Sequence, residues 1–378
     1  MSGENGWSVT PLFTVSEFID GYQPTGIFDG TGAVRLSDNT IRVFVNSELN
    51  PGNGYSYELG NGTDLTGGRV HYFDIDRKCR TIKGAGLAYD TIYDREGNLV
   101  TDPQQINETG NSIDGLARLC SAQLVERNNY NFFDTIFFTG EETSKPFHPH
   151  GGTEWALDVK NGDLWACPDL GRGGWENVTA VETGSQQHVA LLLGDDVQSA
   201  PLYLYVGEKK PSGNFLERNG LVGGTLYVWK ADSGDLTPQT FNGYGATRTG
   251  TFVEIQARDA AKAGTPGYDS QGYLDGDTLR AKADALGAFS FSRPEDLHTN
   301  PRDGSQAVFA STGRGGLFPA DNWGTVYVVD IDFPKQCKGT IAADLAIIHD
   351  ADDLATPDKG IRSPDNLVWA ENGYVYIQ

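Results

Sequence analysis

Acidic and amide residues recur directly after runs of strand-forming residues. Asn46-Ser47-Glu48 follow IRVFV, Glu141-Glu142 follow TIFFTG, Asp195-Asp196 follow ALLLG, and Arg293-Pro294-Glu295-Asp296 follow FSFS. Trp175-Glu176 follow the turn GRGG, Asp114 and Cys120 flank GLARL, and Pro364-Asp365-Asn366 precede LVW. Carboxylates gathered in one place repel one another and stay ionised only beside cations. Calcium accepts many oxygen ligands at loose geometry, and a thiolate adds a ligand suited to a softer transition metal. Taken singly, each acidic pair reads more simply as a solvated turn. Their shared place at the ends of buried-looking strands sets them apart.

Such a cluster needs elements that carry separate loops to one point. A short aromatic or apolar run ending in Asp or Lys, then a polar turn, occurs at Val70–Asp74, Glu154–Asp158, Thr225–Lys230 and Val326–Asp332. Other β-rich runs lie between: Ile41–Asn46, Thr135–Thr139, Val189–Leu193, Leu202–Val206, Ala307–Ala310 and Leu367–Ile377. Lys160-Asn161-Gly162-Asp163 and Asp232-Ser233-Gly234-Asp235 read as hairpin turns, because Asn, Asp and Gly tolerate φ > 0. The intervals are too unequal for a strict repeat. They fit an all-β fold, a six-bladed β-propeller with long inter-strand loops and few short helices, better than a large sandwich. A propeller brings the strand-end loops of every blade to one mouth of a central channel. One helix is expected over Leu279–Leu286, with Asp277 as its cap and Gly287 after its end. No linker splits the chain, so residues 1–378 read as one domain, with the last blade unfinished in this chain and open to a completing segment or partner chain.

Composition narrows the function. Lys and Arg number 29 against 51 Asp and Glu, a net charge of −22, which argues against nucleic acid as a partner. The 48 glycines show no collagen period, and aromatics at 11% are too many for a disordered acidic chain. No apolar run is long enough to insert in a membrane, and no signal peptide is visible. The acidic balance suits a secreted, periplasmic or cell-surface setting. Cys79, Cys120, Cys167 and Cys337 have no zinc-type spacing and read as core thiols, disulfide partners or a metal ligand. EF-hand, G-x-S-x-G, H-E-x-x-H and P-loop motifs are absent. His148 and His150 read as a polar loop rather than a metal site, and glycosylation-type tripeptides begin at Asn61, Asn107 and Asn177.

Seven of these segments, in order, resemble the PhoX-type alkaline phosphatases. Residues 29–50 resemble the stretch ending Asn-His-Glu-Tyr, and Cys120 with TIFFTGEET resembles the cysteine segment and the Cys-Glu-Glu strand after it. HGGTEWALDVKNGD (150–163) is similar to the His-Gly strand, LGRGGWENVTAV (170–181) to Gly-Arg-Phe-x-His-Glu, and LLLGDD (191–196) to Gly-Asp-Asp. FSRPEDL (291–297) and SPDNLVW (363–369) resemble Arg-Pro-Glu-Asp and Ser-Pro-Asp-Asn. The sequence departs at Ser47, Gly140 and Trp175, where the family has His, Cys and His, and SAQLVERNNYN replaces a Gly-rich segment.

The resemblance implies a β-propeller that hydrolyses phosphate monoesters at an iron–calcium site in the channel mouth. Cys120, Glu176 and Glu295 would bind Fe3+. Glu141, Asp195 and Asp365 fall in motifs that would supply ligands to Ca2+. Arg293 would clasp the phosphate of a small phosphorylated substrate, its planar fork matching two phosphate oxygens. Two alternatives stand beside this reading. One is a calcium-dependent lactonase or phosphotriesterase, because Pro364-Asp365-Asn366 also resembles gluconolactonase-type propellers. The other is a non-catalytic calcium-binding propeller scaffold, suggested by the departures.

Overall fold

The computed structural model describes residues 6, 8–106, 115–143, 151–353 and 360–378. Asp114, His148, His150 and the tripeptide at Asn107 lie outside the described residues.

Short β-branched and aromatic runs punctuated by turn residues fold as antiparallel meanders, because each run can hydrogen-bond to the next across a tight connection. Four meanders follow one another. The first contains Phe28–Arg35, Thr40–Ser47, Arg69–Asp76 and Ile82–Leu87, and the second Leu119–Val125, Ile136–Glu141, Glu154–Asp158 and Asp163–Ala166. The third contains Trp175–Val181, His188–Asp195, Tyr203–Glu208 and Thr225–Ala231, and the fourth Pro294–Thr299, Gln306–Ser311, Thr325–Asp332 and Ile341–Asp350. Leu367–Trp369 and Val375–Ile377 form a fifth, two-stranded unit. The all-β propeller expected from the sequence is the architecture observed. The described residues supply four blades of four strands and this pair.

The first strand of each unit is innermost. All five innermost strands line one central channel of about 820 Å³, with Gly30, Ser121, Gln123, Asn177, Asp296 and Asn366 on its wall. At Gly30 a Cβ would lie 2.5 Å from the Ala122 backbone nitrogen, so glycine lets the first and second inner strands approach this closely. Apolar layers fill the gaps between blades. Phe44, Val70, Phe137 and Trp155 pack between the first and second, and Phe138, Trp175, Leu191 and Leu193 between the second and third. Leu192, Trp229, Phe309 and Tyr327 pack between the third and fourth, and Val308, Val326 and Leu367 between the fourth and the terminal pair. Strand Ile341–Asp350 alternates, with Ile341, Ala343, Leu345 and Ile347 inward, as a sheet with one packed face requires. Strand His188–Asp195 is buried at every position, being covered on both faces.

Three of the four signature runs are the third strand of a blade, while Thr225–Lys230 lies in a fourth strand. The longest interval also holds strand Gly250–Ile255, which pairs with both Thr225–Ala231 and Ile341–Asp350 and joins two blades into one sheet. Asp158–Gly162 closes a hairpin, but the turn at Asp232–Asp235 does not, because its strand pairs next with Gly250–Ile255. The long helix runs Gly276–Leu286 and ends on Gly287 at φ 75°. Its cap is Asp275, whose side chain accepts from the Thr278 N–H, rather than Asp277; Asp277 sits in the first turn and pairs with Arg280. Leu279 and Ala283 are buried and Leu286 is exposed, so the apolar face is shorter than the spacing suggested. All four cysteines are free thiols, Cys79 exposed and the other three buried. Asn177 is buried and donates to Asp296 and to the Leu297 carbonyl, which removes it as a surface acceptor. Among the described residues no helix is long and apolar enough to cross a membrane.

Candidate active site

One position repeats in each blade. Asp29, Cys120, Glu176 and Glu295 are each the second residue of the innermost strand of their blade. The pairing between inner and second strands is irregular near each: between Phe28 and Thr31, between Thr139 and Glu141 opposite the start of the Cys120 strand, between Trp175 and Val178, and between Pro294 and Leu297. Such bulges re-aim a side chain away from the ladder's normal alternation. Here they accompany the turn of these side chains toward the channel mouth.

A second ring comes from the residue just after each second strand. These residues are Glu48, Glu142, Asp196 and Thr312. One donor atom from each of Cys120, Glu142 and Glu176 lies within 4.8 Å of the others. The same holds for Glu176, Asp196 and Glu295, and for Asp29, Glu48 and Cys120. The Cys120 thiol donates to Glu176 Oε1 at 3.2 Å, and the Thr312 hydroxyl donates to Glu295 Oε1 at 2.5 Å. Asp365, two residues before the inner strand of the terminal pair, lies close enough to Asp196, Arg293 and Glu295 for their groups to act on its carboxyl.

Of the residues expected from the sequence, Cys120, Glu176, Glu295 and Arg293 converge, with Asp365 beside them. Glu141 and Asp195 do not join them. Glu141 accepts from the backbone N–H of Ala117 at 2.8 Å, and Asp195 accepts from Gly174 N–H and from Arg280 at 2.8 Å. The carboxylates that reach the cluster belong to their successors, Glu142 and Asp196. Successive strand residues point to opposite faces, so a one-residue shift exchanges the mouth for the inter-blade packing. Asp29 and Arg118 carried no distinguishing signal in the sequence; the common position in each blade is what reveals Asp29.

Two arginines stand immediately before inner strands, both with positive φ: Arg118 at 45° and Arg293 at 70°. Arg118 donates to Glu48 at 2.6 Å and to Glu142 at 2.5 Å. Arg293 grips Asp196 through two bonds, Nε to Oδ1 at 2.6 Å and Nη2 to Oδ2 at 2.8 Å, and its Nη2 lies 3.0 Å from Glu295. Hydrogen bonding to Asp196 holds the Arg293 guanidinium above its usual range. Behind the cluster, Asn46 donates to the carbonyls of Cys120 and Ser121 and to Thr139, which fixes the inner strand of the second blade against the first.

Burial and mutual repulsion raise the acids. Burial first, then the charges of Glu295, Glu142, Asp196 and Asp365, hold Glu176 well above the carboxylate range. Burial and Asp196 do the same to Glu295 against the opposing effect of Arg293. Glu142 is pushed up to about 8 by burial and by Asp196, and Asp29 to about 6 by burial and by Glu48. Burial and neighbouring carboxylates hold the Cys120 thiol far above an ordinary thiol. A cluster raised by its own members is relieved by cations, and one thiol among several carboxylates is a donor set that metal ions fit. Above it opens a cavity of about 980 Å³ lined by Asn50, Arg118, Glu142, Asp196, Arg293 and Arg314 among others.

A family model described as alkaline phosphatase PhoX matches residues 163–378. Among solved structures, Pseudomonas fluorescens PhoX in complex with vanadate, a transition-state analogue, is similar with a TM-score of 0.64 and 17% identity, over 94% of this chain and 74% of that one. At that identity the likeness is one of fold. No curated protein matches the chain. The family match takes in the third and fourth blades with Glu176, Asp196, Arg293 and Glu295, and it covers more than half of the residues: the chain belongs to the alkaline phosphatase PhoX family.

Proposed function

We propose that this chain hydrolyses phosphate monoesters at the channel mouth, using cations held by the acid and thiol cluster. The observation that carries this reading is the convergence of the Cys120 thiol with the carboxylates of Asp29, Glu48, Glu142, Glu176, Asp196 and Glu295, in overlapping groups, beside an arginine fork. Cys120 with Glu176, Glu142 and Glu295 suits Fe3+, since thiolate with carboxylate is a transition-metal donor set. Asp196, which groups with Glu176 and Glu295 in an oxygen-only set, suits Ca2+ with Asp365 beside it. When bound, such cations polarise phosphoryl oxygens and favour a deprotonated water at neutral pH.

The chain's own residues set the rest. Arg293 offers its planar fork to two phosphate oxygens, and Asp196 pre-orients that fork until substrate competes for the same N–H groups. The Thr312 hydroxyl fixes the Glu295 carboxylate. Glu176 and Glu295, 2% and 1% exposed, form a floor with little access to bulk water, where charge interactions are strong. A secreted, periplasmic or cell-surface location agrees with a calcium site and with the net charge of −22.

The test is elemental analysis of the purified protein together with hydrolysis of a simple aryl phosphate at alkaline pH, with and without chelator. Iron and calcium with chelator-sensitive turnover are expected. No turnover after reconstitution with both metals overturns the proposal.

A further inference from the structure

Three guanidinium groups line the mouth cavity, those of Arg118, Arg293 and Arg314. The first two are committed to carboxylates of the cluster, Arg118 to Glu48 and Glu142, Arg293 to Asp196 and Glu295. Arg314 is different. Among the described residues no carboxylate pairs with it, although the protein has an excess of acids. Its partner is the neutral amide of Gln198, whose oxygen, in the orientation that satisfies both groups, accepts from Arg314 Nε at 2.5 Å and Nη1 at 3.2 Å. That contact orients the fork without cancelling its charge, and it leaves three of the five N–H donors for a ligand.

The backbone holding Arg314 is tied to the site. Thr312 N–H donates to the Arg293 carbonyl at 3.1 Å, Gly313 N–H to the Ser292 carbonyl at 3.0 Å, and Arg314 N–H to the Asp321 carbonyl at 3.2 Å. Gln198 is itself paired with Ser292 in a short antiparallel ladder. The oriented guanidinium and its amide partner are therefore both held against the backbone that leads into Arg293 and Glu295, in a cavity of about 980 Å³ that is far larger than one phosphate group.

We infer that Arg314, oriented by Gln198, binds a second anionic group of the substrate, a phosphate or a carboxylate, distal to the ester held over the acid cluster. The inference rests on the reading of this mouth as a phosphomonoester site and assigns it a substrate class, phosphate esters carrying a second anion. An oriented arginine fork matches the paired oxygens of either group. A charge-assisted contact of this kind is worth about tenfold or more in affinity.

The probes are alkyl phosphonates of matched length, bearing one phosphonate, two phosphonates, or a phosphonate and a carboxylate. Their binding to metal-loaded protein is measured by calorimetry in the wild type, Arg314→Gln, Arg314→Glu and Gln198→Ala, with thermal melts to check the fold. The wild type is expected to prefer a two-anion ligand by about tenfold. The preference should vanish in Arg314→Gln, invert in Arg314→Glu and weaken in Gln198→Ala, and the tighter of the two-anion probes names the second group. Single-phosphonate binding with the same preference in wild type and Arg314→Glu, or with no preference in the wild type, overturns this inference alone. Failure of the wild type to bind any of the phosphonates overturns it together with the phosphatase reading.

Discussion

The Cys120 thiol lies 3.2 Å from Glu176 Oε1, although the two residues belong to neighbouring blades and meet only because each is second in an innermost strand. Both are nearly buried, at 6% and 2% exposure, and a thiol beside a raised carboxyl has little purpose in a core otherwise built from aliphatic and aromatic side chains. A Cys120→Ser variant should keep its fold, since serine can donate to the same oxygen, and should lose tightly held iron. Activity should fall by more than about 100-fold, beyond the cost of losing an outer-sphere partner. Iron content per chain and the circular dichroism spectrum check this; unchanged iron would make Cys120 a packing thiol only.

Arg293 offers a second test because its fork is filled on one edge by Asp196 and touched on the other by Glu295. Lysine supplies charge without the two parallel N–H groups. Arg293→Lys should therefore raise KM for a phosphate ester and lower kcat, by on the order of 100-fold in kcat/KM. It should also leave Asp196 poorly held. Kinetics near wild type in Arg293→Lys would show that point charge alone suffices.

Metal loading should move protons. Without metal, Glu142 titrates near 8 and Asp29 near 6, both raised, so the acids of the metal-free fold retain protons that ionised ligands must give up. For a carboxyl raised on folding, the stabilisation is complete below its unfolded value and is lost as pH rises through its folded value. Chelated protein should then lose thermal stability between pH 5 and about 8.5 relative to metal-loaded protein. Calcium added to weakly buffered, metal-free protein should acidify it. Parallel melting curves with and without chelator across that range would contradict this.

Much of the site was legible because the strands announced themselves, and acids after strands pointed to one mouth. What stayed hidden was register. GEE and GDD offer two carboxylates each, and only the ladder decides that Glu142 and Asp196 face the mouth while Glu141 and Asp195 bind backbone and Arg280. Asp29 sits in an unremarkable DGTG turn sequence, so only the equivalence of inner-strand positions exposes it. The unequal spacing of the strand runs has its cause in the segment between the third and fourth blades, whose extra strand Gly250–Ile255 lengthens that interval.

Gly140 and Trp175 mark two departures from the family motifs, and the structure joins them. A Cβ on Gly140 would come within 2.4 Å of Trp175 Cβ and 2.7 Å of Glu154 Oε2. The small residue makes room for the strand that carries Trp175 and Glu176. Gly140→Ala should therefore destabilise the protein by about 1–3 kcal/mol through overpacking. Because Trp175 precedes Glu176, it should also reduce activity. Denaturant unfolding together with turnover checks both; an alanine variant with wild-type stability would mean that the second and third blades can separate without strain.

Asp321 provides a pH effect away from the cluster. It is fully buried, its Oδ1 accepts from the Thr325 hydroxyl at 3.0 Å, and burial, reinforced by Asp350 and Asp352, pushes it up to about 7. The sign follows from that direction. In the unfolded chain the group ionises near pH 3.9, whereas in the fold it keeps its proton to about 7. Its contribution to stability is whole below about pH 4 and is lost as pH rises toward 7, at up to about 1.4 kcal/mol per pH unit. An asparagine in its place would carry no such charge, and its amide can still bond the Thr325 hydroxyl. The Asp321→Asn variant should therefore gain stability relative to wild type on going from pH 5 to pH 8. Unfolding free energies of both proteins at the two pH values measure the change, and an equal pH dependence in the two would show that Asp321 ionises in place at no cost.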